Sequence, residues 1–189
     1  MSRRAVFLDR DGVINRYTTN YVRTFDDFAF YPEAEGAFAL LGGLGAPIVV
    51  VTNQSGIGRG YTTRAIVDAI HDHMIATAAR WGAAITTVEI CPHTPDDRCD
   101  CRKPAPAMFT RAAEAHDLAL AGSFLVGDSP CDIEGAVRLG MRPVRVRTGR
   151  GSEALPNGIE AEATADDFLA AVRWIVEAWP APLEPPRSP

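Results

Sequence analysis

Short apolar runs recur along the chain at Ala5–Leu8, Pro47–Val51, Ile85–Ile90, Ser123–Val126 and Pro143–Val146, each mostly β-branched or aliphatic. Runs of this kind read as buried parallel strands, apolar on both faces. Between them the apolar positions change to a helical period, over Glu33–Leu44, Thr63–Trp81, Ala107–His116 and Ile133–Leu139. In the second of these, Ile66, Val67, Ile70, Met74 and Ala78 share one face. The repeated alternation predicts βαβ units wound into one mostly parallel sheet with helices on both faces, a doubly wound, Rossmann-like α/β domain over residues 1–179. Near its end Thr164 is placed to cap a helix in which Phe168, Leu169, Val172, Ile175, Val176 and Trp179 recur at helical spacing. Trp174 and Trp179 read as packing residues. The last ten residues, 180–189, hold five prolines and are expected to form a disordered tail.

In an open sheet of this kind ligands bind beyond the carboxyl ends of the strands, and the chemically suggestive residues fall there. Asp9 and Asp11 stand one residue apart where the first strand ends, followed by Gly12, which permits a tight turn. Thr52 and Asn53 end the second strand, Lys103 follows the third, and Asp128 follows the fourth in Val126-Gly127-Asp128-Ser129-Pro130-Cys131-Asp132. Carboxylates this close repel one another and a phosphate, unless cations neutralise them. Mg²⁺ and Lys103 meet that need, and hard oxygen ligands suit Mg²⁺. Asp9 is then a candidate nucleophile, ionised at neutral pH without a base, and leads to an aspartyl-phosphate. Asp11 is a candidate acid and base, for which a raised pKa is expected. The Thr52 hydroxyl is placed to hold phosphoryl oxygens.

Asp9-x-Asp11-Gly12, Thr52-Asn53, Lys103 and Gly127-Asp128-x-x-x-Asp132 resemble, in order, the four motifs of haloacid dehalogenase superfamily phosphatases. The fuller strings Phe7–Asn15, Val51–Gly60, Cys91-Pro92-His93 and Cys99–Pro104 resemble one branch, the D-glycero-D-manno-heptose 1,7-bisphosphate 7-phosphatases and the related histidinol-phosphate phosphatases. The resemblance implies Asp9 as nucleophile, Asp11 as acid and base, Thr52 and Lys103 as phosphoryl stabilisers and Arg102 as a substrate contact. It also implies Mg²⁺ on Asp9, on the Asp11 backbone carbonyl and on Asp128, with Asp132 behind them.

Superfamily members often carry a large cap domain, but the intervals Asn15–Phe30 and Gly56–Tyr61 leave room only for loops. Selectivity is therefore expected from Asn20, Tyr21, Asn53, Gln54, Ser55, Arg59 and Arg102, whose guanidinium groups suit a second phosphate. A sugar bisphosphate is the favoured substrate, with histidinol phosphate as the alternative. A phospho-accepting receiver domain shares the sheet and acidic pocket, but needs neither Asp11 nor the cysteine loop.

Cys91-x-His93 and Cys99-x-Cys101 supply three sulfurs and one imidazole, the set for a closed tetrahedral structural Zn²⁺ site. A Cys91–Cys99 disulfide and unlinked thiols are the alternatives. Arg102 and Lys103 directly follow the last of these ligands, so ordering the loop would also order two cations. Cys131 reads as a small buried residue, His71 and His73 as solvated, and His116 as a complement to a helix dipole.

Over 189 residues, 19 basic and 24 acidic side chains give a formal charge of −5, which argues against indiscriminate nucleic-acid binding. The basic start, Met1–Arg4, is followed by an apolar run far too short for a signal or membrane segment. A cytoplasmic monomer acting on a phosphorylated small molecule is expected.

Overall fold

Six parallel strands carry the chain in the computed structural model, which describes residues 2–179; the proline-rich 180–189 segment lies outside the described residues. The strands are β1 (Arg3–Leu8), β2 (Ile48–Asn53), β3 (Ile85–Cys91), β4 (Leu118–Gly127), β5 (Arg142–Val146) and β6 (Ala163–Ala165), and they lie in the order β3-β2-β1-β4-β5-β6. β1 pairs with β2 on one side and β4 on the other. The chain thus winds away from β1 in both directions, which opens a crevice at its carboxyl end.

The period-two alternation of the strands divides the core between two faces. Val6 and Leu8 of β1, Val50 of β2 and Phe124 and Val126 of β4 pack against Phe38 and Leu41 of α1 (Ala34–Leu44), Met74 and Ala78 of α3 (Arg64–Arg80), and Phe168, Val172 and Ile175 of α6 (Phe168–Ala178). Ala5, Phe7, Val49, Val51 and Leu125 point the other way, onto Met108, Phe109 and Ala112 of α4 (Ala107–His116) and Ala136 of α5 (Pro130–Arg138). Phe7, Phe38, Phe109, Phe124 and Phe168 are all fully buried, and removing any one ring should cost about 3–5 kcal/mol. Trp174 and Trp179 lie 6.0 and 5.6 Å from the Phe124 ring, so both serve packing as expected.

Local chemistry sets the helix starts. The Thr63 hydroxyl accepts from Ile66 N at 3.3 Å and caps α3. The Ser129 backbone N–H donates to Asp132 Oδ2 at 3.1 Å in a capping box that begins α5 three residues before the expected Ile133. Two sequence expectations are corrected. Thr164 lies in β6, and it is Asp167, accepting from Ala170 N at 2.8 Å, that caps the last helix. β4 begins at Leu118, not Ser123, with a register shift where Gly122 takes a φ of 77°. Such a bulge breaks the apolar run on which a strand is recognised.

Over the carboxyl end of the sheet run two connections, residues 16–33 and the segment around the four-residue helix α2 (Ser55–Gly58). Among the described residues neither builds a cap domain. No described helix is long and apolar enough to cross a membrane.

Candidate active site

At the carboxyl ends of β1, β2 and β4 a cavity of about 200 Å³ is lined by Asp9, Asp11, Thr52, Asn53, Gln54, Ser55, Arg102, Lys103 and Asp128, with Tyr17 to Thr19, Tyr21 and Val22 on its rim. The buried Lys103 forms its floor. Its Nζ sits 2.8 Å from Asp9 Oδ1 and 2.6 Å from Asp132 Oδ1, and donates to the Val51 carbonyl at 2.7 Å. Burial works against the ammonium, but Asp132 and Asp9 outweigh it and hold the group protonated above the ordinary lysine range. Lys103 is held from behind by Asn53, whose Oδ1 accepts from Lys103 N at 3.0 Å and whose Nδ2 donates to the Lys103 carbonyl at 3.3 Å.

Three carboxylates face this one ammonium. The carboxylate oxygens of Asp9, Asp128 and Asp132 lie within 4.8 Å of one another, and all three residues are buried. Burial first, then the negative charge of Asp132, pushes the Asp9 carboxyl up to about 7 against the pull of Lys103. Burial, then Asp9 and Asp132, pushes Asp128 up to about 8. Asp132 is already engaged by Lys103 and by the Ser129 backbone and hydroxyl. Both oxygens of Asp132 are thus taken, whereas Lys103 meets only Oδ1 of Asp9 and Arg150 N only Oδ2 of Asp128. Asp9 and Asp128 therefore keep oxygens for a hard divalent cation such as Mg²⁺, which fits the donor set. The approach is close: a Cβ on Gly12 or Gly149, at φ 90° and 56°, would come within 2.1 Å of Asp128 Oδ2.

Asp11 departs from expectation. Burial would raise its pKa, but the Arg10 guanidinium and donors from Asn15 and Gln54 together hold it below the usual carboxylate range. The cause was missed in the sequence: Arg10 is completely buried and its Nη2 lies 2.8 and 2.9 Å from the two Asp11 oxygens. Gln54 Nε2 donates to Asp11 Oδ2 and to Thr52 Oγ1, each at 2.7 Å, linking acid, amide and hydroxyl on one wall.

Of the residues expected to contact substrate, Tyr21, Asn53, Gln54, Ser55 and Arg102 line the cavity, whereas Asn20 and Arg59 do not. The exposed Asn20 gives its carbonyl to Arg23 Nε at 2.7 Å, and the exposed Arg59 ends α2. Cys131 is half-buried and lines the cavity, where burial and then Asp132 push its thiol up to about 12 and keep it neutral. Sequence reasoning also overlooked Thr148 and Arg150: Thr148 Oγ1 donates to the Gly12 carbonyl at 2.6 Å, and Arg150 N donates to Asp128 Oδ2 at 2.7 Å. Their signal was positional, since Arg147-Thr148-Gly149-Arg150-Gly151 follows a strand end as the other site residues do.

His71 and His73 are not solvated. His71 is buried with Nε2 3.1 Å from Arg10 Nη1, and His73 packs among Phe25, Phe28 and Phe30 with centroids 5.0–6.2 Å apart. His116 lies in the last turn of α4, where a dipole-complementing residue belongs.

Beside the cavity, Cys91 Sγ, His93 Nδ1, Cys99 Sγ and Cys101 Sγ converge. Their sulfur–sulfur separations are 3.2, 3.5 and 3.6 Å, and Nδ1 lies 3.2 and 3.7 Å from Cys101 and Cys91. A disulfide needs about 2.05 Å, and all four cysteines are free. Ligands placed at ~2.3 Å around a tetrahedral zinc are about 3.7 Å apart, so the cluster fits that ion.

Comparison with known proteins places this geometry. A HAD-hydrolase-like family model matches residues 100–171. The D-glycero-beta-D-manno-heptose-1,7-bisphosphate 7-phosphatase of Pseudomonas putida is 41% identical over 167 residues, covering 88% of this chain and 95% of that one. A crystal structure of D,D-heptose 1,7-bisphosphate phosphatase from B. bronchiseptica, complexed with magnesium and phosphate, matches with a TM-score of 0.84 at 36% identity, covering 93% of this chain and 99% of that one. The corresponding structure from Burkholderia thailandensis gives 0.69 at 32% identity, covering 92% and 99%. With its acidic crevice, buried lysine and four-ligand cysteine loop, the chain belongs to the haloacid dehalogenase-like phosphatases, in the heptose bisphosphate phosphatase branch, and is a phosphoric monoester hydrolase.

Proposed function

We propose that the protein removes the 7-phosphate of D-glycero-D-manno-heptose 1,7-bisphosphate through an aspartyl-phosphate on Asp9. The observation that carries this reading is the convergence of Asp9, Asp11, Thr52, Lys103 and Asp128 on one cavity. A carboxylate oxygen of Asp9 forms a bond to phosphorus as the ester P–O bond breaks, and the departing alkoxide takes a proton from Asp11. Substrate phosphate brings negative charge beside Asp11 and favours its protonated form, against the pull of Arg10. Water then attacks phosphorus, gives a proton to Asp11, and the Asp9–phosphorus bond breaks to release phosphate. Lys103 and the Thr52 hydroxyl stabilise charge on the phosphoryl oxygens in both displacements. Mg²⁺ held by the Asp9 carboxylate, the Asp11 carbonyl and the Asp128 carboxylate would offset the excess negative charge and polarise the phosphoryl group.

The second phosphate falls to Arg102. Of the two guanidinium groups on the cavity wall, that of Arg150 is forked onto Glu153 at 2.7 Å for both contacts, while Arg102 makes one weak bond, to the His93 carbonyl at 3.3 Å. A structural zinc on Cys91, His93, Cys99 and Cys101 would fix the segment that presents Arg102 and Lys103. The names of the relatives support the substrate. A monomeric, cytoplasmic enzyme of one domain completes the proposal. A phosphate-release panel with both anomers of the heptose bisphosphate, fructose 1,6-bisphosphate and histidinol phosphate tests it. The heptose bisphosphate should give the highest kcat/KM, and a higher value for histidinol phosphate would overturn the assignment.

A further inference from the structure

His71 stands on the buried face of α3, outside the cavity, yet one side chain links it to the chemistry. Its Nε2 lies 3.1 Å from Arg10 Nη1, while Arg10 Nη2 contacts both Asp11 oxygens and donates to Gln54 Oε1 at 3.1 Å. Arg10 is 0% exposed, its Nε has no partner, and its guanidinium carbon lies 6.0 Å from the Phe28 ring centre. A guanidinium keeps its charge and offers only donors, so the imidazole facing it must be neutral and accept through Nε2. Burial, then Arg10, pushes the His71 pKa down to about 3, in agreement.

The Asp11 carboxylate holds four bonds: Arg10 and Asn15 on Oδ1, Arg10 and Gln54 on Oδ2. Two carboxylate oxygens offer about four acceptor sites, so one donor must yield before a proton can be carried there. Gln54 Nε2 has a second acceptor in Thr52 Oγ1, at 2.7 Å, and can let go without being stranded. Arg10 Nη2 also reaches Gln54 Oε1, but the guanidinium as a whole is enclosed and braced by His71 through Nη1, so it stays in place.

We propose that His71, acting through Arg10, is a positioning residue that aims the Asp11 carboxylate at the ester oxygen. The role rests on the reading of Asp11 as proton donor to the leaving group. Without an acceptor at position 71, Arg10 Nη1 is left buried and unpaired, and the guanidinium must shift toward other acceptors. Asp11 would follow it.

The test separates aim from general damage by the leaving group. An alkyl phosphate expels an alkoxide that needs the Asp11 proton, whereas 4-nitrophenyl phosphate expels a stable anion. Values of kcat/KM report the step in which the alcohol departs. His71→Leu should lower kcat/KM roughly tenfold to a hundredfold for the best alkyl ester of the panel and less than about twofold for the aryl ester. His71→Asn, which keeps an acceptor, should recover most of the loss. Equal losses on both esters in a variant with an unchanged melting temperature, or no loss on either, would overturn the proposal. If His71→Leu does not fold, Arg10→Lys, which keeps the charge but not the fork, puts the same question with the same deciding ratio. Equal losses on both esters in Asp11→Asn would instead overturn the assignment of Asp11.

Discussion

Withdrawing Mg²⁺ as pH is raised should reveal the excess negative charge of the pocket as a loss of stability. The Asp9 carboxyl has an ordinary value of 3.8 and about 7 in the folded chain. The fold therefore binds this proton more tightly than the unfolded chain does. That preference stabilises the fold at low pH and is lost as pH rises through the folded value. At about 1.36 kcal/mol per unit, Asp9 alone removes about 3 kcal/mol between pH 5 and pH 8. Asp128, raised to about 8, acts in the same direction. In a domain of this size 3 kcal/mol corresponds to roughly 6–12 °C in melting temperature. A bound divalent cation takes over from the protons, so the loss should vanish at saturating Mg²⁺. Thermal unfolding followed by circular dichroism, in zinc-containing buffers of constant ionic strength with and without Mg²⁺, measures both curves. The stabilisation by Mg²⁺ should grow steadily with pH, and Asp128→Asn should flatten the metal-free curve. A metal-free melting temperature constant over this range, or an equal Mg²⁺ increment at both ends of it, would refute the electrostatic reasoning.

Asp9→Asn should abolish phosphate release, by at least about a thousandfold in kcat, while leaving the circular dichroism spectrum unchanged. Lys103→Met strands three buried carboxylates around a missing charge. It should cost about 3–5 kcal/mol in chemical denaturation and at least about a hundredfold in kcat. Elemental analysis should find about one zinc per chain, and Cys99→Ser should lower zinc content, melting temperature and kcat together. A Cys99→Ser variant with full activity and no zinc would separate the loop from the site.

The features visible in the sequence are those produced by short-range repetition. β1 is buried on both faces over its last four residues, β2 over its first four and β5 over Pro143 and Val144, so their apolar runs stand out whatever surrounds them. β6, three residues long and half-buried, and the first half of β4, cut by Gly122, leave no such run. Asp9, Thr52, Lys103 and Asp128 were legible because each closes or follows a strand. Arg10 was not, because an arginine between two aspartates reads as a solvated charge; its burial depends on α3, 54 to 70 residues further along. The periodicity did hold a clue to His71, which shares with Val67, Ile70, Met74 and Ala78 the three- and four-residue spacing of the buried face. Comparing it with His73 alone concealed that membership. Against burial, which would raise it, the pKa of Asp11 is held down chiefly by its chain neighbour Arg10, and only the enclosure of that guanidinium, a long-range effect, turns the neighbour into a buried partner.

The ammonium on the cavity floor is fastened at once by two carboxylates and the Val51 carbonyl. Immobilising a free lysine side chain costs about 2 kcal/mol, and here that entropy is surrendered during folding, before any ester arrives. Every substrate that reaches phosphorus contact meets the same ready-made electrostatic field. Under the proposed function, discrimination among esters would fall to the tyrosines, threonines and Arg102 that line the cavity, and exchanging them should retarget the enzyme while its hydrolytic machinery stays intact.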